Sequence, residues 1–319
     1  MSDLTQIIVT WNNRACVGDC LESLCRHPFR GASETIVVDN ASTDGTAQYV
    51  ADGFPDVRVL RLERNRGFAA GNNVGLRIAT GRYVLLLNPD TVVHAGALDA
   101  LVGYADAHSE AWAVGPRLLG VDGASQRTGV KFPSPWSVLM EALFLDRLFA
   151  QSRFFGAHRE LYEPEDRPRR VDYLQGSCLL LRAAAIARVG ILDEDYFLYF
   201  EETDWCRRCR LAGGEVHYAP GAVVTHLGGG GDQHYGESRL ILYHESLLRY
   251  CRKHMPPALG AAMRVVLVFR SVVRLCLWLV VALTPTRGRG KALSSVRGYV
   301  RVLLRLFGAG SPTSRACLV

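Results

Sequence analysis

Residues 196–208, YFLYFEETDWCRR, set three carboxylates directly behind four aromatic side chains within five positions. The acids are Glu201, Glu202 and Asp204, and the sequence after them turns strongly helical. Carboxylates seldom stand against buried apolar surface unless they are paired or put to use. Burial against such a run raises a carboxyl pKa towards neutrality, the range in which a general base works. Asp204 has a plainer partner in Arg208, an i,i+4 pair worth ~0.3–0.5 kcal/mol on a helix. The pattern offers Glu202 as a candidate for the reacting group and Asp204 as a partly salt-bridged one. Glu201 is the third candidate.

Two further acids stand at the ends of apolar runs. Asp39 follows the run 35–38 and precedes a turn that opens a helix. A carboxylate there can accept from a base N–H while neighbouring amides suit phosphate or ribose. Equally, Asp39 or Ser42 can cap the next helix. Asp90 follows the most apolar run, 83–87, and a lone acid there can give Mg²⁺ or Mn²⁺ one oxygen ligand. The bland alternative is a metal-free turn at Pro89-Asp90. Between them, RNRGFAAGNN (64–73) either lines a sugar–phosphate pocket or forms a loop with Asn72 as N-cap. Neither a P-loop nor a dinucleotide GxGxxG follows the first strand-like run.

The elements that must position these residues follow from periodicity. Uninterrupted apolar runs at 7–9, 35–38, 57–60 and 83–87 alternate with helical patterns at 14–25, 43–52 and 72–80. That alternation predicts an α/β fold, its mostly parallel central sheet covered by helices on both faces. Ligands in such sheets bind beyond the carboxyl ends of the strands. The polar stretches there are Thr10-Trp11-Asn12-Asn13, residues 39–45 and residues 88–91. Three parts are expected: a strand-and-helix alternation over 1–110, a more irregular part over 111–235, and a helical basic tail, 236–319. In the second part a Gly/Pro-punctuated stretch (115–135) precedes a helix at 137–150, with strands at 177–181 and 222–225.

Charge is unevenly spread. Thirteen of the 37 Lys and Arg residues lie beyond Leu248, and none of the 31 acids does. An acidic body with a basic tail points to an anionic partner for the tail alone. Residues 265–283 are apolar and near the ~20 needed to cross a bilayer. Arg270 and Arg274 interrupt them, each costing ~2.5–3.5 kcal/mol in a spanning helix. On a helical wheel Arg264, Arg270, Ser271 and Arg274 share one face, as do Arg297, Arg301 and Arg305 in the next segment. Two basic amphipathic helices joined by 285–290 therefore read as lying on an anionic membrane surface, with contacts spread over 249–307. A helical cap or a dimer interface is the competing reading. Nucleic acid is excluded as a partner because the non-basic face is aliphatic. The nine cysteines suggest no disulfide or zinc framework and read as free thiols; the strand-like start at Gln6 leads us to expect no signal peptide.

Six of these stretches, in order across roughly 5–235, resemble family 2 glycosyltransferases, in particular the bacterial rhamnosyltransferase-like branch. They are TWNN (10–13), VVDNASTDGT (37–46), NRGFAAGNN (65–73), NPDT (88–91), residues 193–204 with Arg208, and THLGG (225–229). The resemblance implies a GT-A fold and inverting transfer from a nucleoside-diphosphate sugar, best dTDP-rhamnose, otherwise a UDP-sugar. It implies a nucleotide-sugar site built from Thr10, Trp11, Asn12, Asp39, Asn40, Ser42, Asn65, Gly67, Asn72, Asn88 and Asp90. It implies Mg²⁺ or Mn²⁺ near Asp90 and His226, and Glu202 in the position of the base. Two departures stand out: Asn88 replaces the first of two metal-motif acids, and Glu replaces the usual Asp at the base. The second leaves the roles of Glu201, Glu202 and Asp204 open. With the basic tail, a lipid-linked saccharide acceptor at the cytoplasmic face of a bacterial inner membrane is expected, in a peripheral enzyme of cell-surface polysaccharide assembly. The competing reading is a non-catalytic sugar-nucleotide-binding or scaffold protein.

Overall fold

Seven consecutive buried residues form the first strand, β1 (Leu4–Thr10), and its neighbours explain why no position is polar by exposure. Parallel partners flank it on both sides, β2 (Ser33–Asp39) and β4 (Tyr83–Leu87), while β3 (Arg58–Arg61) adds outside β2. The crossovers are α1 (Val17–Arg26), α2 (Thr46–Gly53) and α3 (Phe68–Leu76). Side chains alternate between two cores, as a sheet covered on both faces requires. Leu4, Ile8, Leu85 and Leu87 enter one core with α1; Ile7, Val9, Val84 and Leu86 enter the other.

This is a computed structural model, described for residues 2–160, 162–228, 235–284 and 289–308. Beyond β4 the sheet continues through β11 (Cys178–Arg182), β6 (Ala111–Leu119), β12 (Glu215–His226) and β5 (Thr91–Val93). β11 runs antiparallel to β4 and β6, whereas β6 and β12 are parallel. Short β7 (Ser125–Gln126) and β9 (Arg169–Val171) pair with β6 and β12, and β8 (Gly129–Val130) pairs β10 (Tyr173–Leu174). α4 (Ala97–Ala107) packs in the first core; α7 (Ala183–Val189) and α8 (Glu201–Leu211) pack in the second, with Trp205, Cys206 and Cys209 fully buried. The expected α/β class and mostly parallel sheet are present. β6 is a surprise, because Gly115 and Pro116 lie within it. Pro116 is tolerated where β12 bulges between Ala219 and Val223.

Two compact units emerge, Met1–Phe132 with Glu163–Gly231, and Pro133–Tyr162 with Asp232–Val319. The second holds α5 (Pro135–Ala142), α6 (Leu145–Leu148), α9 (Ser238–His254), α10 (Pro257–Leu283) and α11 (Arg289–Leu306). One helix expected over 137–150 is two, broken at Phe144, which takes φ 60°. The Gly-rich run past Gly228 and most of the 285–290 linker lie outside the described residues.

α10 turns the expected basic face inward. Met263, Leu267, Arg270 and Ser271 are buried. Arg270 bonds Glu141 of α5 at 2.9 Å, Arg274 donates to the Glu141 carbonyl and lies over Phe144, and Arg264 donates to Leu306 O. The outward stripe is Val265, Phe269, Val272, Leu279, Val280 and Leu283, of which Leu283 is 85% and Val265 70% exposed. On α11, Arg297 and Arg301 pair with Glu237, and Arg305 pairs with Glu245. Of the arginines assigned above to lipid headgroups, Arg270, Arg297, Arg301 and Arg305 thus pair with acids of the unit, Arg264 and Arg274 donate to backbone carbonyls, and the outward stripe of α10 is hydrocarbon.

Candidate active site

Register gathers the polar strand ends at one edge of the sheet. Thr10 pairs Asp39, Cys178 pairs Leu87, and His226 pairs Thr91. Asp39 is fully buried; its carboxylate accepts from Thr10 Oγ1 at 3.3 Å and Ser42 N at 3.2 Å. Ser42 Oγ accepts from Asn12 N, and Asn12 Oδ1 accepts from Thr43 N, both at 2.8 Å. Asn12 and Ala41 take φ of 55° and 67° to make that interlock. Trp11, half-buried, stands at its rim. Asn40 reaches the next loop, donating to Asn65 Oδ1 (2.8 Å) and Gly67 O (3.1 Å).

Gly67 is the point where this loop meets the acidic segment. Its φ is 87°, and a Cβ there would lie 2.4 Å from Phe197 O, so only glycine fits. Phe68 N donates to the same carbonyl at 2.7 Å. Gly67 is also the N-cap of α3, so Asn72 falls inside the helix, where it donates to Phe68 O. The expectation of Asn72 as N-cap is corrected on that ground.

After β4, Asn88 N donates to Ser177 O at 2.9 Å, while Asn88 Oδ1 is buried without a hydrogen-bond partner. Asp90 is 3% exposed, and its Oδ2 lies 3.4 Å from His226 Nε2. Gln126 fixes that imidazole, its Oε1 3.0 Å from Nδ1 and its Nε2 donating to His226 O. A carboxylate, an orphaned amide oxygen and an imidazole fit a divalent ion such as Mn²⁺ or Mg²⁺.

Tyr199 and Phe200, with φ of 67° and 69°, deliver the chain into α8. Two successive bulky residues in the left-handed region store strain of the kind found at functional sites. Glu201 and Glu202 open the helix, each with a buried Oε2 lacking a hydrogen-bond partner. Glu202 stands over Gly176, where a Cβ would meet it at 3.6–3.7 Å; Gly176 adjoins Ser177, the residue bonded to Asn88. Burial pushes the Glu202 carboxyl up to about 7. Burial, and then the charge of Glu202, push Glu201 well above the usual range. Asp204 differs. It is fully buried and bonded 2.8 Å to Arg208 Nε, while Arg208 also donates to Val189 O and Ile191 O.

The family profile described as Glycosyl transferase family 2 matches residues 5–164. The chain belongs to glycosyl transferase family 2. An N-acetylglucosaminyl-diphospho-decaprenol L-rhamnosyltransferase of Mycobacterium tuberculosis is 32% identical over 261 residues, 77% of this chain and 83% of that protein. Rhamnosyltransferase WbbL of Escherichia coli K12 is 30% identical over 169 residues, 50% of this chain and 60% of its own. A mannosyltransferase of Pyrobaculum calidifontis, solved with GDP-Man and Mn²⁺, superposes with a TM-score of 0.57 at 18% identity. That match covers 95% of this chain and 87% of the mannosyltransferase, and it establishes the GT-A fold.

In this family 2 chain several positioning residues escaped sequence reasoning. Asn73 is fully buried and exchanges hydrogen bonds with Leu192 while donating to Glu194, which also binds Arg66 and Arg77. The Asn72-Asn73 doublet was a signal, read at its wrong member. Gln126 and Gly176 carried none. A second group of metal-ligand type, His108, Glu110 and His217, lies elsewhere. His217 pairs Val114 and Thr225 pairs Leu119 on β6, so the β12 bulge leaves His217 roughly 20 Å along the strand from His226. The His217 ring nitrogens already meet Tyr104 and Glu215.

Proposed function

We propose that this chain is an inverting rhamnosyltransferase that uses dTDP-rhamnose and a lipid-diphosphate-linked sugar in cell-surface polysaccharide assembly. The observation that carries it is Glu202, a carboxyl raised to about 7 beside the glycine that leads to Asn88 and Asp90. In the proposed step the acceptor hydroxyl oxygen attacks the anomeric carbon, the bond to the diphosphate oxygen breaks on the opposite side, and Glu202 Oε2 takes the hydroxyl proton. Asp39, Ser42, Asn12 and Thr10 frame the nucleoside end, and Asn40 and Asn65 hold the Gly67 loop against Phe197. Asn88 Oδ1, Asp90 and His226 would hold Mg²⁺ or Mn²⁺, which supplies positive charge to a departing diphosphate. The mycobacterial relative's name specifies such an acceptor, which supports this choice.

The test is transfer of rhamnose from dTDP-rhamnose to a GlcNAc-diphospho-polyprenol, with Mn²⁺ and with chelator, across pH. Product is expected with the metal, and kcat/KM should rise about tenfold per unit below pH 7 and level above it. A profile flat from pH 5.5 to 8 would remove Glu202 as base. No transfer from any nucleotide sugar would remove the activity.

We also propose that the second unit lies at the cytoplasmic face of the inner membrane with the outward stripe of α10 in the acyl layer. Hydrocarbon contact, unlike headgroup pairing, resists salt. Co-sedimentation with vesicles should persist at roughly 0.5 M salt and be lost in Phe269→Asp/Val280→Asp. Release of the wild type by salt alone would return the contact to its arginines.

A further inference from the structure

Two histidines and two glutamates converge at the amino ends of β6 and β12, and the proposed transfer step uses none of them. His108 caps the C-terminus of α4, Glu110 immediately precedes β6, and Glu215 and His217 open β12, at the end of that strand opposite His226. One possible ligand atom from each of His108, Glu110 and His217 lies within 4.8 Å of the other two. The backbone holds them in place. Glu215 N donates to Glu110 O at 2.9 Å, Ala111 N to His108 O at 3.0 Å, and Arg182 Nη2 to His108 O at 3.2 Å. A register shift between Glu215 and Val216 then sets His217 opposite Val114.

The hydrogen bonds around His217 suit a metal ligand. Its Nε2 lies 2.8 Å from Glu215 Oε2, and the other Glu215 oxygen accepts from Arg170 Nη1 at 2.6 Å. A carboxylate only accepts, so Nε2 carries a proton and, in the neutral ring, Nδ1 presents the lone pair. A carboxylate on the far ring nitrogen fixes orientation and tautomer in the same way at metal sites. The Tyr104 hydroxyl lies 3.0 Å from Nδ1, and a cation would take its place there. His217 is buried, whereas the side chains of His108 and Glu110 are 40% and 50% exposed, which leaves an ion a way in. Those two already touch, Nδ1 to Oε1 at 3.2 Å, in an exposed pair of little net strength.

We propose that His108, Glu110 and His217 bind Zn²⁺, with water as the fourth ligand, as a clip joining the end of α4 to β6 and β12. Two imidazoles and a carboxylate suit borderline Zn²⁺, whereas the oxygens of Asp90 and Asn88 favour the harder Mg²⁺ or Mn²⁺. The two ends of β12 would thereby sort two kinds of ion. The clip stands or falls apart from the transfer reaction.

The full chain carrying Asp90→Asn and His226→Ala, so that the other site cannot compete, is titrated with zinc chloride against a chromophoric chelator and melted with and without zinc. One Zn²⁺ is expected to bind and to raise the Tm as its concentration rises. His108→Ala and Glu110→Gln, added singly, should each weaken that binding at least about tenfold. In excess chelator both should melt as the parent does, since neither side chain is buried. In the otherwise wild-type chain neither should alter Mn²⁺ affinity. Zinc affinity unchanged in both variants would put the ion elsewhere, for instance on thiols, and overturn the site. A fall in Tm in chelator as large as that with zinc would also overturn it, leaving a hydrogen-bond network alone. Displacement of the zinc by equimolar Mn²⁺ would overturn the choice of ion.

Discussion

Glu202→Gln is expected to lower kcat about 10²–10⁴-fold while leaving the affinity for the nucleotide sugar within twofold of wild type. The amide keeps the shape of the side chain over Gly176 and removes only the ability to take a proton. Because the carboxyl is already disfavoured as an anion by burial, the variant should fold at least as well as the parent. Rapid-quench transfer assays alongside donor titrations separate chemistry from binding. Glu201→Gln is the control: its carboxyl is 4% exposed and held further from ionisation, so it should retain most activity. If Glu201→Gln is the dead variant and Glu202→Gln is within tenfold of wild type, the two exchange roles.

Arg208→Ala should cost about 3–5 kcal/mol in the unfolding transition of the sheet unit, the penalty for leaving a buried carboxylate without its partner. Asp204 is fully buried, and Arg208 carries two further bonds, to Val189 O and Ile191 O, at the approach to the aromatic run. That is an order of magnitude above an exposed i,i+4 pair. Arg208→Lys should recover little, since one ammonium cannot reproduce the fork. Denaturant titration gives the number; a loss below about 1 kcal/mol would mean the pair is solvated. Together the two variants divide the acidic cluster into a reacting half and a framing half.

The division was partly legible in sequence. The spacing of Asp204 and Arg208 announced the pair, but nothing local announced that Asp204 would be sealed from water. Strands β1, β2 and β4 were readable because both their faces are buried and the apolar runs unbroken. β6 was not, since Gly115 and Pro116 read as breakers until the bulge in β12 accommodates them. The start of α3 was set by the tertiary contact of Gly67 with Phe197, and no local preference reports that. The tail shows the sharper limit. A helical wheel states which arginines share a face but not which way the face turns. The partner that turns it, Glu141, lies 129 residues from Arg270.

The paired acids at the head of α8 also bind the fold's durability to proton concentration. Glu202 keeps its proton in the folded chain up to about pH 7, whereas the unfolded chain releases it near 4.5, and Glu201 is shifted the same way. The folded state therefore holds more protons across that window, so its stability is greatest on the acid side and declines as pH climbs through neutrality. With Glu202 as the proposed base, turnover runs the other way, since only its deprotonated form can take a proton. In that reading the enzyme gains its working form by giving up part of its margin against unfolding, and the two trends cross near neutrality.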